Sequence, residues 1–466
     1  MGGNELWRET ATALAMRIRR RDVSAVEVVR AHLARIDEAN PGLNAIVTLD
    51  REGALAAADA ADRLLARGEP PGPLHGLPIA VKDLEDTAGM RTTYGSPIFR
   101  DHIPAADTLL VTRLRRAGAI VIGKTNTPEF GAGSQNFNAV FGATLNPFDR
   151  ARTPGGSSGG AAAAVAGGML PLADGSDLGA SVRNPAAFCG LVGLRPSPGR
   201  IPELPTSSPW NPLAVHGPIA RTVEDAALLL RALCGPDARA PLSLDDPPEA
   251  FADVRPAELG AVRIAWSDDL GGLPVAPEVS DVLRRRRAEI EALGCAIENA
   301  EPDLSGADEA FETLRGVGFV QAFGELLRTH RDQLKDTVVW NTEAGLALTG
   351  EQVGRAIGLQ AEAFARMHEL LERYDAFALP VSQVAPFGVD EPWPREVAGV
   401  PMGSYLEWMR SCSRITVTAH PAISVPAGFT DDGLPVGLQL VGRHRGEAAL
   451  LRVAAAVHPG WRAPAD

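Results

Sequence analysis

From about residue 54 onward this chain alternates helical patterns with short uncharged apolar runs, and few architectures accept that rhythm. Helical spacing over 54–67 leads to a strand at 77–81. The same order recurs at 107–116 and 119–122, and again at 160–166 and 170–173. Later apolar strands fit 262–266, 376–379, 422–425 and 436–441, separated by helices near 222–234, 277–293, 307–329, 350–373 and 446–457. Residues 5–39 carry helical spacing too, with Asp22-Val23-Ser24 as the start signal of a second helix. The alternation predicts an α/β fold with helices on both sides of a largely buried sheet. No shift in composition cuts the chain, so one domain spanning 1–466 is expected. The stretch 381–404, with its prolines and no helical pattern, is predicted to be a long surface loop of functional use.

Charge narrows the function. With 58 acidic against 45 basic residues the net charge is −13, which gives no reason to expect nucleic acid or an anionic membrane as partner. No run is long and apolar enough to span a bilayer, and residues 1–22 do not read as a signal peptide. The four cysteines, Cys189, Cys234, Cys295 and Cys412, are scattered without CxxC spacing. No metal and no cofactor are expected, and buried thiols in a reducing, cytoplasmic setting are.

Only three lysines stand among 42 arginines: Lys82, Lys124 and Lys335. Arginine keeps its proton in a protein, whereas a desolvated lysine can lose it. Lys82 closes the apolar run Gly-Leu-Pro-Ile-Ala-Val-Lys and is the candidate neutral amine. Lys335, in a polar stretch, reads as a leftover of biased composition. Residues 118–125 match the phosphate-loop string G-x-x-x-x-G-K-[ST], but in the wrong context. A helix precedes the first glycine, a buried strand fills the space between the glycines, and a turn follows. Nucleotide binding is rejected, and Lys124 is expected to hold a loop near the active site.

Residues 155–160 read Gly-Gly-Ser-Ser-Gly-Gly and run straight into the alanine helix, which a flexible linker would not do. The second cluster, Asp177-Leu178-Gly179-Ala180-Ser181, sets small residues before a serine, a pattern that frees backbone N–H groups to face a pocket. A serine nucleophile needs a base. No GxSxG elbow or histidine pattern supplies one, which leaves a desolvated amine.

These residues carry a resemblance. The motif GGSSGG…D-x-G-x-S-x-R-x-P, with close similarity over 76–199 and further likeness at 217–225, 421–428 and 433–440, resembles the amidase signature family. That resemblance implies a mixed, twisted central sheet and a Ser–cisSer–Lys triad. Ser181 would be the acylated nucleophile, Ser157 the bridging serine with a cis peptide, and Lys82 the base. The N–H groups of Leu178, Gly179, Ala180 and Ser181 would form the oxyanion hole, braced by Ser158, Asp177 and Arg183. Ala180 stands where the family commonly has glycine, so a positive φ there would strain the loop.

The resemblance further implies that Phe130, Gly131, Ala132, Gln135 and Phe137 line the acyl side. Segments 200–215 and 381–410, together with Trp340, would form an apolar lid that includes Trp393, Met402, Tyr405, Trp408 and Met409. With no basic cluster to fix a carboxylate, the expected substrate is a small neutral amide, partly apolar or aryl, such as an anilide or a carbamate (urethane). The alternative is the catalytic subunit of a tRNA-dependent glutamine amidotransferase. The expected partner is the small-molecule amide alone, with homodimerisation left open.

Overall fold

A computed structural model describes residues 3–464, so the first two and last two residues of the expected 1–466 unit lie outside the described residues. Eight strands form the main sheet. In spatial order they are Ala296–Asn299, Arg263–Trp266, Ala376–Pro380, Pro435–Val441, Ala422–Phe429, Val192–Arg195, Val215–Ala220 and Leu172–Asp177. The first three run parallel and the remaining pairings are antiparallel, so the sheet is mixed. A smaller three-stranded sheet, Ile46–Leu49, Ile120–Thr125 and Pro78–Lys82, lies beside it.

The period of two along each strand divides the core. Ile264, Ala378, Ile423, Val425, Leu438 and Leu440 face one layer, which holds Val279, Val282 and Leu283 of helix Pro277–Ala292 and Leu450 and Leu451 of helix Glu447–Val457. Ala265, Phe377, Leu379, Ala422 and Val441 face the other. There they meet Phe311 of helix Ala307–His330, Leu370 and Leu371 of helix Gly350–Arg373, and Ile415 of helix Arg410–Val417. Phe377 is fully buried in that second layer. Phe377→Ala is expected to cost about 3–5 kcal/mol of stability, read as a lowered denaturant midpoint.

Helix starts follow the sequence signals. Ser24 caps helix Ala25–Ala39 in a reciprocal box with Glu27. Residues 120–125 form a strand paired on both sides, so their N–H groups belong to a ladder and cannot cradle phosphate. Lys124 Nζ instead holds the turn after Lys82, through the Glu85 carbonyl and Thr87 Oγ1.

Two expectations need correction. The strand predicted at 170–173 runs over Leu172–Asp177, straight through Asp174-Gly175-Ser176-Asp177, because pairing with Val215–Ala220 outweighs the poor strand propensity of those residues. The predicted surface loop 381–404 begins in the interior: Val381, Ser382 and Gln383 are buried, with Gln383 bonded to Pro274 O and Arg410 N. Its later part holds a short hairpin, Glu396–Val397 with Val400–Pro401.

Candidate active site

Lys82 ends its strand fully buried, and its backbone N–H is held by the Asp174 carboxylate. Its Nζ lies 2.8 Å from Ser157 Oγ, 2.9 Å from Ser158 Oγ and 3.0 Å from Ser176 Oγ. Burial pushes the amine down to about 8, against the pull of Asp174, Glu85 and Asp177 toward the charged form. A neutral amine has two protons to give and one lone pair to offer. Ser158 spends its hydroxyl proton on Ser176 O and accepts from Ser176 N. The lone pair is therefore left to Ser157 or Ser176.

The peptide bond between Gly156 and Ser157 is cis. Ser158 occupies the N-cap position of helix Gly159–Ala166, but it makes no side-chain cap bond because its hydroxyl is committed to Lys82. Gly160 is required at the start of that helix: a Cβ there would meet Asn126 N at 2.4 Å. Ser157→Ala is expected to reduce turnover more than Ser158→Ala, since only Ser157 also faces the cavity. Rates on a chromogenic amide would check this, and the reverse order would reassign the bridging role.

The loop 178–181 turns between the strand ending at Asp177 and helix Arg183–Phe188. Among the described residues, none of the N–H groups of Leu178, Gly179, Ala180 and Ser181 donates to another protein group. Four adjacent free donors beside a cavity can receive developing negative charge. Ala180 has no positive φ, so the alanine costs the loop nothing there. Gly179 answers to packing instead, since a Cβ would meet Met409 Cε at 2.6 Å and Phe311 Cζ at 2.8 Å.

Asp177 and Arg183 brace this loop from beneath, both fully buried. Arg183 Nε and Nη2 bind the carboxylate in a fork at 3.0 and 2.9 Å, while Val182 N adds a third bond at 3.1 Å. Burial alone would raise the Asp177 carboxyl, but Arg183, with help from Arg195, holds it down to about 2. Arg183 also reaches Gly179 O, Gln439 and Thr416, tying the loop to the sheet and to helix Arg410–Val417. Arg183→Met is expected to destabilise the fold by about 3 kcal/mol, because it removes the forked partner of a buried carboxylate and leaves it to Arg195 and the Val182 N–H. Thermal unfolding would show it.

Ser181 lines a cavity of about 290 Å³ together with Ser157, Ser176, Leu178 and Gly179. Its carbonyl accepts from Ser158 N at 3.1 Å, which locks the two serine segments together. Ser181 Oγ makes no hydrogen bond among the described residues, so the link from Lys82 to Ser157 is formed and the one from Ser157 to Ser181 is open. Such links often tighten only once substrate is bound.

Phe130 and Gly131 line this cavity as expected. Ala132 does not: it is fully buried, and its carbonyl accepts from Lys335 Nζ at 3.2 Å. Gln135 lies in a neighbouring chamber with Phe137, its amide tied to Val389 and Glu391 carbonyls. Segment 200–215 reaches the cavity through Glu203, Ser207 and Asn211, and segment 381–410 through Tyr405 and Met409. Met402 is buried, while Trp340, Trp393 and Trp408 line the neighbouring chamber.

Two site residues lie beyond what the sequence pattern signals. Ser176 sits in the strand end that propensity argues against; alternation with Asp174 along one strand face is the signal available. Lys335, which composition alone marks as a leftover, stands beside Gly133 at the junction of cavity and chamber, and Arg395 lines that chamber as well. The expectation of a neutral substrate takes the lack of a basic cluster as its premise; Lys335 and Arg395 line the chamber, and Arg315 lines the cavity. Among the described residues no His/Cys/Asp/Glu group is arranged to hold a metal, and no helix is long and apolar enough to cross a membrane.

A protein-family model described as amidase matches residues 27–451. An acylamidase of Rhodococcus erythropolis is 38% identical over 465 residues, covering 98% of this chain and 97% of that one. A glutamyl-tRNA(Gln) amidotransferase subunit of Moorella thermoacetica is 36% identical, covering 97% and 96%. Among solved structures, a bacterial aryl acylamidase of the amidase signature enzymes superposes with a TM-score of 0.88 at 28% identity, covering 96% of this chain and 95% of that chain. A 6-aminohexanoate cyclic dimer hydrolase complexed with substrate gives 0.88 at 27% identity, covering 99% of each.

Proposed function

The chain belongs to the amidase family, hydrolases of amide C–N bonds, and from that premise we propose that it cleaves small, partly apolar or aryl amides through an acyl-enzyme on Ser181. The observation that carries the reading is the buried Lys82 amine 2.8 Å from Ser157 Oγ, beside a loop whose N–H groups are free. Neutral Lys82 takes the proton of Ser157, and Ser157 that of Ser181 as its oxygen attacks the carbonyl carbon. The N–H groups of 178–181 receive the oxyanion, with each such donor worth ~3–4 kcal/mol of barrier by precedent. The proton returns along the same path to the leaving nitrogen, and water then cleaves the ester to Ser181.

The cavity wall supports an apolar or aryl group. Phe130, Phe319, Phe323, Tyr405 and Met409 line it, and the Phe130 and Phe323 rings pack tilted at 37° with centroids 4.9 Å apart. Anilides and carbamates fit that wall. Four free, buried thiols suit a reducing compartment, and a cytoplasmic location is part of the proposal.

A second reading, the glutamine-hydrolysing subunit of a tRNA-dependent amidotransferase, draws on relatives 33–36% identical that are named as amidotransferase subunits. The aromatic wall speaks against it, since the polar side chain of glutamine gains little there. One experiment separates the two. The purified single chain should release aniline from acyl-anilides in a chromogenic screen that also includes esters and carbamates. Activity on glutamine alone, or only with added partner subunits, would favour the second reading.

A further inference from the structure

Beside the catalytic cavity lies a second chamber of about 600 Å³ that shares Gly133 and Tyr405 with it. Five aromatic side chains line it: Phe137, Trp340, Trp393, Tyr405 and Trp408. Trp340 is 47% exposed and meets Tyr405 edge-on with ring centroids 6.0 Å apart. A large exposed ring such as Trp340, facing a hollow with other aromatic side chains behind it, is the usual sign of a binding surface rather than of core.

Lys335 stands at the junction of the two spaces. Its Nζ donates to Ala132 O at 3.2 Å and lies 4.2 Å from the Phe137 ring centroid, and among the described residues no carboxylate pairs with it. An ammonium has three donors, so two are left for something else. Burial lowers this amine to about 8, against the pull of Glu129 and Asp336, which leaves it mostly a cation at pH 7. The charged residues lining the chamber are Lys335, Arg395 and Asp336, so positive charge is in excess there. Arg395 stacks on Trp393 at 3.8 Å.

We propose that this chamber binds an aryl group bearing a carboxylate, with the ring held among the aromatic side chains and the carboxylate received by Lys335 Nζ. The proposal rests on the amidase reading of the adjoining cavity, in which the scissile bond would lie while its substituent reaches past Gly133. It gives Lys335 a specificity-determining role that needs no part in the bond-breaking step.

The test separates this proposal from the amidase reading by measuring binding rather than turnover. In the Ser181→Ala variant, calorimetry should find 4-acetamidobenzoate bound about tenfold or more tighter than acetanilide, the size expected of a charge-assisted hydrogen bond. Adding Lys335→Met should bring the ratio close to one, and Lys335→Arg should keep most of it. Because the readout is a ratio between two ligands on one protein, a general loss of stability does not move it. Equal affinities, no detectable binding of the benzoate, or a preference that survives Lys335→Met overturns the proposal. Turnover of acetanilide by the unmodified enzyme tests the amidase reading separately.

Discussion

Ser181→Ala is expected to abolish turnover, with kcat falling by about 10⁴–10⁶ to what free N–H donors and binding alone provide. In the proposed mechanism this hydroxyl attacks a carbonyl held by the N–H groups of 178–181. Ser157 and Ser176, which line the same cavity, are instead held on Lys82. The same variant should remain folded, with stability within about 0.5 kcal/mol, because Ser181 Oγ makes no protein hydrogen bond and is partly exposed. A fluorophosphonate should label the unmodified enzyme and leave the variant unlabelled. A variant that keeps its rate within tenfold, while folded, would move the nucleophile elsewhere.

Lys82→Ala is expected to lower the neutral-pH rate by about 10²–10⁴, the usual worth of a positioned general base, and to change the shape of the pH profile. With the amine at about 8, the rate of the unmodified enzyme should climb with pH through that value and then level off, because the proposed mechanism runs on the neutral form. The variant should lose that limb. Stability carries the same signature. The folded chain releases this proton near 8, the unfolded chain near 10.5. Between those values the unfolded state holds more protons, so this group adds stability as pH rises, by up to about 1.4 kcal/mol per pH unit. Below about 8 both states hold the proton and its contribution is flat. A profile of unchanged shape in Lys82→Ala would show that another group governs the ionisation.

How much of this is legible in the sequence varies with how local the cause is. The helices over 277–292, 307–330 and 350–373 follow from apolar spacing and nearby start signals, and their bounds fall within a residue or two of expectation. The strand through Asp174 to Asp177 is longer than its sequence suggests, because those residues disfavour strands. Only the partner strand Val215–Ala220, 38 or more residues further on, makes the extension favourable. The interior course of 381–387 escapes local reading for a like reason: its polar groups are bonded by Pro274, Arg410 and Ser411, none of them a sequence neighbour. Ala132 lies one step away from the expected lining, since a loop's lining alternates with what lies behind it.

Taken alone, the residue order determined the architecture class, the serine segments and the buried lysine, because periodicity, glycine spacing and a scarce residue type are properties of neighbouring positions. Tertiary structure alone decided that Lys82 meets three hydroxyls rather than one, that Ala180 needs no unusual backbone, and that Lys335 faces an aromatic chamber. Those outcomes depend on distances between segments up to some 200 residues apart, and such distances are set only when the sheet and its two helical layers close on each other.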